Sequence, residues 1–249
     1  MSKQSGLGQN CYFAGYNVSG DVSQAKEIST PMTPLEATAI DKFAMERLGG
    51  LRDGAISYSA FFNKAAGQEH LAHRGLPRTD VGVMWTTGTT LGDEAFALTA
   101  KQVDYAGNRA DDGSFTFDLQ AQANSFGADW GKLMTAGVRT DTTATNGTSV
   151  DFGTGSTAFG LQAYLQVFSF TGTSVTFTIQ ESSDNGSGDA FAAVTGGAFA
   201  VVSAANQFER IQTARGQTVE RYLRVVTTGT FSECSFAVMI ARNPVSVTY

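Results

Sequence analysis

The strongest constraint in the chain is one eight-residue run, Phe115-Thr116-Phe117-Asp118-Leu119-Gln120-Ala121-Gln122, in which every second side chain is apolar. A period of two puts Phe115, Phe117, Leu119 and Ala121 on one face and Thr116, Asp118, Gln120 and Gln122 on the other, which is the pattern of a half-buried strand. Asp112-Gly113 just before it is hairpin-turn chemistry, so the run is the return strand after Ala95 to Tyr105. A second alternation covers Ala55 to Phe62. There Ile56, Tyr58 and Phe62 share a face, and Ser57, Ser59 and Phe61 share the other. Asp80 to Thr87 reads as a further strand, and Ala65 to Leu76 as the one helix. With 28 Gly, 4 Pro and abundant Thr and Ser, the composition favours short strands and tight turns over long helices.

Residues 21–54 carry little periodicity. Thr30-Pro31-Met32-Thr33-Pro34 is expected to be extended, because each proline pushes its predecessor out of the helical region. Ile40 to Leu48 reads as a short helix or a mobile loop, and Gly49 to Gly54 as turn chemistry. Residues 139–157 are mostly Thr, Gly, Ser, Asn and Asp, too poor in apolar side chains to hold a core. A domain boundary is therefore expected near Asn146-Gly147, giving units 1–145 and 146–249. In the second unit, Gln162 to Phe170 and Ser174 to Glu181 read as strands joined at Thr171-Gly172-Thr173. Arg221 to Val226 and Ser235 to Ala241 read as strands flanking Thr228-Gly229-Thr230. Several short strands with regular turns predict a β-sandwich there.

The sequence offers no catalytic or metal-binding constellation. His70 and His73, three apart on the expected helix, lack the further ligands of a metal site and read as solvated or helix-capping. No Gly-x-Ser-x-Gly elbow occurs. Asp93-Glu94 and Asp111-Asp112 sit in expected turns, where Asp caps backbone locally. Asp184 to Asp189 lacks the calcium-loop spacing, and the paired glycines lack a dinucleotide fingerprint. No cofactor is expected. Cys11 and Cys234 form no framework and read as reduced and buried. A net charge of −6 without a basic run argues against tight nucleic-acid binding. No stretch is long and apolar enough to suggest insertion in a membrane.

Two stretches carry a resemblance. The opening Ala14-Gly15-Tyr16-Asn17-Val18-Ser19-Gly20-Asp21-Val22, and Glu46-Arg47-Leu48-Gly49-Gly50-Leu51-Arg52-Asp53-Gly54 followed by a strand, resemble the major tail tube proteins of long-tailed bacteriophages, those of actinobacteriophages especially. The order through Gln68, Thr79-Asp80, Tyr105 and Asp112-Gly113-Ser114 fits as well, and the likeness covers about the first 135 residues. It implies a mainly β chain: an N-terminal antiparallel β-sandwich or half-barrel of tail-tube type with one flanking helix, and a C-terminal β-sandwich appendage. It also implies synthesis in a host cytoplasm, a place in the virion tail beside other tail proteins, and stacked homo-hexameric rings through which DNA passes transiently. Under that resemblance Ser57, Ser59, Thr116, Asp118, Gln120 and Gln122 are expected to line the channel. Thr33, Leu35, Ile40, Phe43, Met45 and Leu48 are expected to contact the next ring, in a segment mobile until assembly orders it. The alternative is a virion β-sandwich that binds host glycan, against which stands the lack of Trp beyond residue 150.

Overall fold

The computed structural model describes residues 5–75, 78–153 and 155–247. The chain is mainly β, with strands paired antiparallel throughout. The N-terminal lobe runs β1 (Asn10–Phe13), β2 (Tyr16–Asn17), β3 (Val22–Ser29), β4 (Met32–Glu36), β5 (Arg47–Arg52), β6 (Ala55–Phe61), α1 (Glu69–His73), β7 (Val81–Thr86), β8 (Glu94–Arg109) and β9 (Phe115–Ala123). Sixteen residues long, β8 serves two layers. Its first half pairs with β7, which pairs with β1. Its second half pairs with β9, which pairs with β6, which pairs with β3. Between the layers lie Phe13, Ile56, Tyr58, Val83, Phe96, Leu98 and Leu119, all fully or almost fully buried. Asp112-Gly113 does turn the β8–β9 hairpin: Gly113 has φ 90°, and the Asp112 carboxylate accepts from Ser114 N–H at 2.8 Å.

The C-terminal lobe consists of β10 (Asp129–Leu133), β11 (Arg139–Asp141), β12 (Thr145–Asn146), β13 (Val150–Asp151), β14 (Leu161–Ser182), β15 (Ala192–Ala198), β16 (Gln207–Gln212) and β17 (Tyr222–Arg242). Where the sequence suggests four short strands, there are two long ones, β14 and β17, paired along their whole length. Thr171-Gly172-Thr173 and Thr228-Gly229-Thr230 are not turns between strands. They are the places where this ribbon bends. The register slips on both sides of Gly172, and Gly229 adopts φ 130° with its Cα hydrogens against the Ser174 carbonyl. A Cβ at Gly229 would sit 2.3 Å from that oxygen, so the bend needs glycine. The bend folds the ribbon onto itself. Phe177 of one limb meets Phe236 of the other with ring centroids 4.7 Å apart, and Leu165, Val167, Val175, Ile179, Val225 and Val238 fill the same core. A β-sandwich results, as expected, but it is built from one bent ribbon flanked by β15 and β16 on one side and β10 to β13 on the other.

Three further expectations change. Residues 139–157 are not a free linker, since β11, β12 and β13 pair successively with β17, and Asn146 lies opposite Val226. Of the two readings for Ile40 to Leu48 the loop holds and the helix does not: Ile40 to Glu46 connect β4 to β5 in a separate hairpin, and Arg47-Leu48 begin β5. The helix is only five residues long, and the expected end at Leu76 lies outside the described residues.

The lobes share a sheet and a core. Strand β10 pairs with β8 through Asp129↔Ala97 and with β17 through Leu133↔Met239. Tyr12, Met84, Ala97 and Leu133 pack there with Tyr164, Ala237 and Met239. The buried Gln166 side chain closes the seam. Its amide donates to Gly82 O at 2.9 Å, and its carbonyl accepts from Gly15 N–H at 2.6 Å.

Candidate assembly surface

Strands β3, β6, β9 and the second half of β8 make a four-stranded sheet with one buried and one polar face. Ile56, Tyr58, Ala60, Leu119 and Ala121 point into the core. Alternation therefore brings Ser57, Ser59, Thr116, Asp118, Gln120 and Gln122 together on the opposite face. Ser57 lies opposite Gln120, and Ser59 opposite Asp118. The flanking strands extend the face with Gln24, Lys26 and Glu27 on β3 and with Lys101, Asp104 and Asn108 on β8, positions that no alternation in the sequence singles out. Its lysines are paired within the chain. Lys26 Nζ is 2.5 Å from the Asp118 carboxylate, which also accepts from Ser59 Oγ at 2.5 Å, and Lys101 Nζ is 2.8 Å from Asp80. Lys26, then Ser59, hold the Asp118 carboxyl below the ordinary carboxylate range, and Lys101 does the same for Asp80.

Both edges of this sheet are open. Among the described residues β3 pairs only with β6, and β8 beyond Ala100 pairs only with β9. In an antiparallel sheet of four strands the two edge strands run in opposite directions. The polar groups of one edge therefore match those of the other in an antiparallel pairing between copies.

Helix α1 braces the back of the sheet between these edges. Its first residue, Glu69, donates its N–H to Asp21, which immediately precedes β3, at 3.2 Å. The Glu69 carboxylate accepts from Tyr105 Oη of β8 at 3.1 Å, and His70 Nδ1 lies 3.0 Å from the same hydroxyl. Burial pushes the Glu69 carboxyl up to about 7. His73 is fully buried against Tyr58 Oη at 2.9 Å and Phe13, and burial pulls it down to about 3. It is a core histidine, not a solvated or capping one. No group of three His, Cys, Asp or Glu among the described residues is placed to hold a metal ion. Cys11 and Cys234 are free and buried, with burial pushing each thiol up to about 12.

The β4–β5 hairpin carries the second set of sequence-predicted residues. Thr33 and Leu35 lie on β4 and Leu48 on β5, with Ile40, Phe43 and Met45 in the connection between. All six are exposed, Ile40 and Phe43 completely, and Met32 and Leu51 stand exposed beside them. So many large apolar side chains on a two-stranded ribbon are stable in water only with a cover. At its root the hairpin is anchored firmly. Asp53 N–H donates to Pro31 O at 2.9 Å. Arg52 donates to Ala128 O at 2.9 Å and to Asp129 at 2.8 Å.

A cleft of about 260 Å³ beside this root is lined by Thr30, Arg52, Trp130, Arg242, Asn243 and Pro244, among others, and Trp130 is 45% exposed. Its polar groups are already engaged. Asp129 holds Arg52 and Tyr164, Arg242 donates to the carbonyls of Gly155 and Glu220, and Asn243 donates to Phe159 O.

No protein-family model matches the sequence, and no curated protein matches it. Among solved structures, the tail of an empty gene transfer agent particle with C6 symmetry aligns over 50% of this chain and 97% of its own, at 14% identity and TM-score 0.42. The SPP1 Dit protein, described as a hub of the adsorption apparatus in phages infecting Gram-positive hosts, aligns over 94% of this chain and 99% of its own, at 12% identity and TM-score 0.35. The phage p2 baseplate in its activated conformation with Sr aligns over 94% and 98%, at 8% identity and TM-score 0.38. Alignments this loose establish no shared role.

Proposed function

We propose that the chain is a structural, non-enzymatic subunit of a phage tail tube, which closes laterally into hexameric rings and stacks around a channel that passes DNA. The observation that carries this reading is the four-stranded sheet with one polar face and two open edges of opposite direction. Pairing β3 of one copy with β8 of the next satisfies both edges at once. Repeated around an axis, that head-to-tail contact closes a ring with no edge left. The polar face then becomes the inner wall. Its lysines are already neutralised by Asp118 and Asp80, so it offers sliding DNA few counterion-releasing contacts. The exposed apolar side chains of the β4–β5 hairpin gain their cover from the adjacent ring.

A glycan-binding role is less well supported. Trp130 stands at the junction of the lobes, on the strand that bridges them, paired with Phe96 of β8. The amide, carboxylate and guanidinium groups around it are committed to the chain's own contacts, and sugar hydroxyls need such partners. Negative-stain microscopy of the purified chain tests the proposal. Tubes of stacked rings are expected. Discrete rings that never stack would move the chain to a single-layer position in a tail, and monomers at every concentration would overturn the ring reading.

A further inference from the structure

The hairpin root lies at one end of a buried polar relay that reaches the far lobe. Arg52, the last residue of β5, pairs with Oδ1 of Asp129, which is only 8% exposed as a side chain. The other oxygen, Oδ2, accepts from Tyr164 Oη of β14 at 2.6 Å. Tyr164 Oη in turn accepts from Arg210 Nε of β16 at 3.1 Å, and the Arg210 guanidinium lies over the Phe126 ring, 3.9 Å from its centroid. Burial raises the Tyr164 hydroxyl well above its ordinary value, so it stays a proton donor to Asp129. Glycines bring the parts close. A Cβ at Gly54 would sit 2.5 Å from Ala128, and one at Gly127 would sit 2.8 Å from Arg52 Cβ.

We infer that the C-terminal lobe sets the direction of the β4–β5 hairpin, with Tyr164 and Asp129 as positioning residues that act through Arg52. The inference deepens the proposed function and rests on reading the hairpin as an assembly element. A two-stranded ribbon joined to its lobe only through Thr30-Pro31 and Asp53-Gly54 would otherwise sweep a wide arc. Asp129 Oδ1 and Ala128 O together hold Arg52 Nη2, and Tyr164 holds the other Asp129 oxygen, so the carboxylate that receives Arg52 is itself fixed in place. The hairpin is thereby presented ready to dock, and ordering it on contact costs less entropy. The C-terminal lobe is then part of the assembly machinery, although none of its own side chains touches the next ring in this scheme.

The test is a spin-label distance between Ala39→Cys on the hairpin and Thr218→Cys on the C-terminal lobe, both exposed positions. It is read in the full chain held unassembled at low concentration; the native cysteines are buried and stay unlabelled. A narrow distribution is expected in the wild-type background. Arg52→Gln and Tyr164→Phe are each expected to broaden it about twofold, with Arg52→Gln the larger effect. Tyr164→Phe removes one hydroxyl and keeps the ring in its packing, so it carries the test where Arg52→Gln does not fold. A wild-type distribution that is already broad overturns the inference. So do variants that match the wild type, and so does broadening by Arg52→Gln alone. Because the distance is read before assembly, failure of the wild-type chain to form tubes would count against the proposed function and leave this result standing.

Discussion

The two lobes are made of the same material and finish it differently. In the C-terminal lobe the long β14–β17 ribbon bends back on itself, and its sides are occupied by β15 and β16 and by β10 to β13. The N-terminal lobe leaves an eight-residue edge on β3 and the second half of β8 open, and it extends a hairpin studded with apolar side chains. Among the described residues, most of the large apolar side chains that stand exposed precede residue 129, the exceptions being Trp130, Val201 and Val245. A sheet with open edges and an uncovered apolar ribbon is an aggregation hazard unless a partner completes it. The C-terminal lobe ends in outer strands too, since among the described residues β15 and β16 pair only with β14, but few large apolar side chains stand exposed there. Under the proposed function the N-terminal lobe, with its apolar hairpin, is the part that other copies complete.

The shared core predicts the largest effect. Although the sequence suggests a separate β-sandwich unit from residue 146, a chain ending at Thr145 removes the partners of Tyr12, Met84 and Leu133 and one of the two strands that hold β10. It is expected to aggregate or to lose its cooperative thermal transition, as read by circular dichroism. Even the single change Leu133→Ala at the seam is expected to cost about 2–5 kcal/mol in denaturant unfolding. If the truncated chain melts cooperatively, the lobes are independent and the comparison is between two separate domains.

Replacing residues 32–51 with a short Gly-Ser connection is expected to separate assembly from folding. The hairpin forms its own sheet, so its loss should leave the melting transition in place. Sedimentation should then find no stacked species. Normal tubes from this variant would show that the exposed apolar side chains do not hold rings together.

A change at the ribbon bend acts within the C-terminal lobe alone. Gly229→Val is expected to destabilise the chain by about 1–3 kcal/mol, through the left-handed backbone and the contact with Ser174 O. Denaturant unfolding should show the loss while the hairpin-dependent assembly, followed below the midpoint, persists.

The smallest effect is one of pH. The Glu69 carboxyl is raised by burial from its ordinary value of 4.5 to about 7, with Tyr105 and Asp21 against it and His70 sharing the Tyr105 hydroxyl. A raised carboxyl favours the folded state at low pH, where both states are protonated, and that contribution is lost as pH rises from 4.5 through about 7. Glu181, Glu209 and Glu220 are raised too, so the difference between wild type and Glu69→Gln isolates this site. The variant's melting temperature should fall less than the wild type's between pH 5 and pH 8, as scanning calorimetry would read it. Parallel profiles would place Glu69 in contact with water.

What the sequence shows and what it hides both follow from the period of two. Strands β6 and β9 keep that period, so their two faces are legible, although Phe62 and Phe115, expected in the core, lie exposed at the end of the apolar face beyond the reach of the second layer. Strand β3 does not keep it. Val22, Ala25 and Ile28 lie opposite the buried Ala60, Tyr58 and Ile56, three apart on one strand and two apart on the other, because a bulge follows Val22 and another follows Ala25. The hairpin is invisible for a different reason, since both of its faces are exposed and no alternation is imposed on it. Gly172 and Gly229 look like turns because glycine at a bend and glycine in a turn have the same identity. The Arg52–Asp129–Tyr164 relay joins residues 77 and 35 positions apart, a separation that no local pattern records.

Hydrogen exchange before and after assembly tests the central claim most directly, because it reads the edges proposed to pair between copies, on β3 and β8, against the outer strands β15 and β16 of the other lobe. The account predicts new protection at the outward amides of β3 and of β8 beyond Ala100, with β15 and β16 unchanged. Assembly that protects β15 and β16 while β3 and β8 continue to exchange would contradict it.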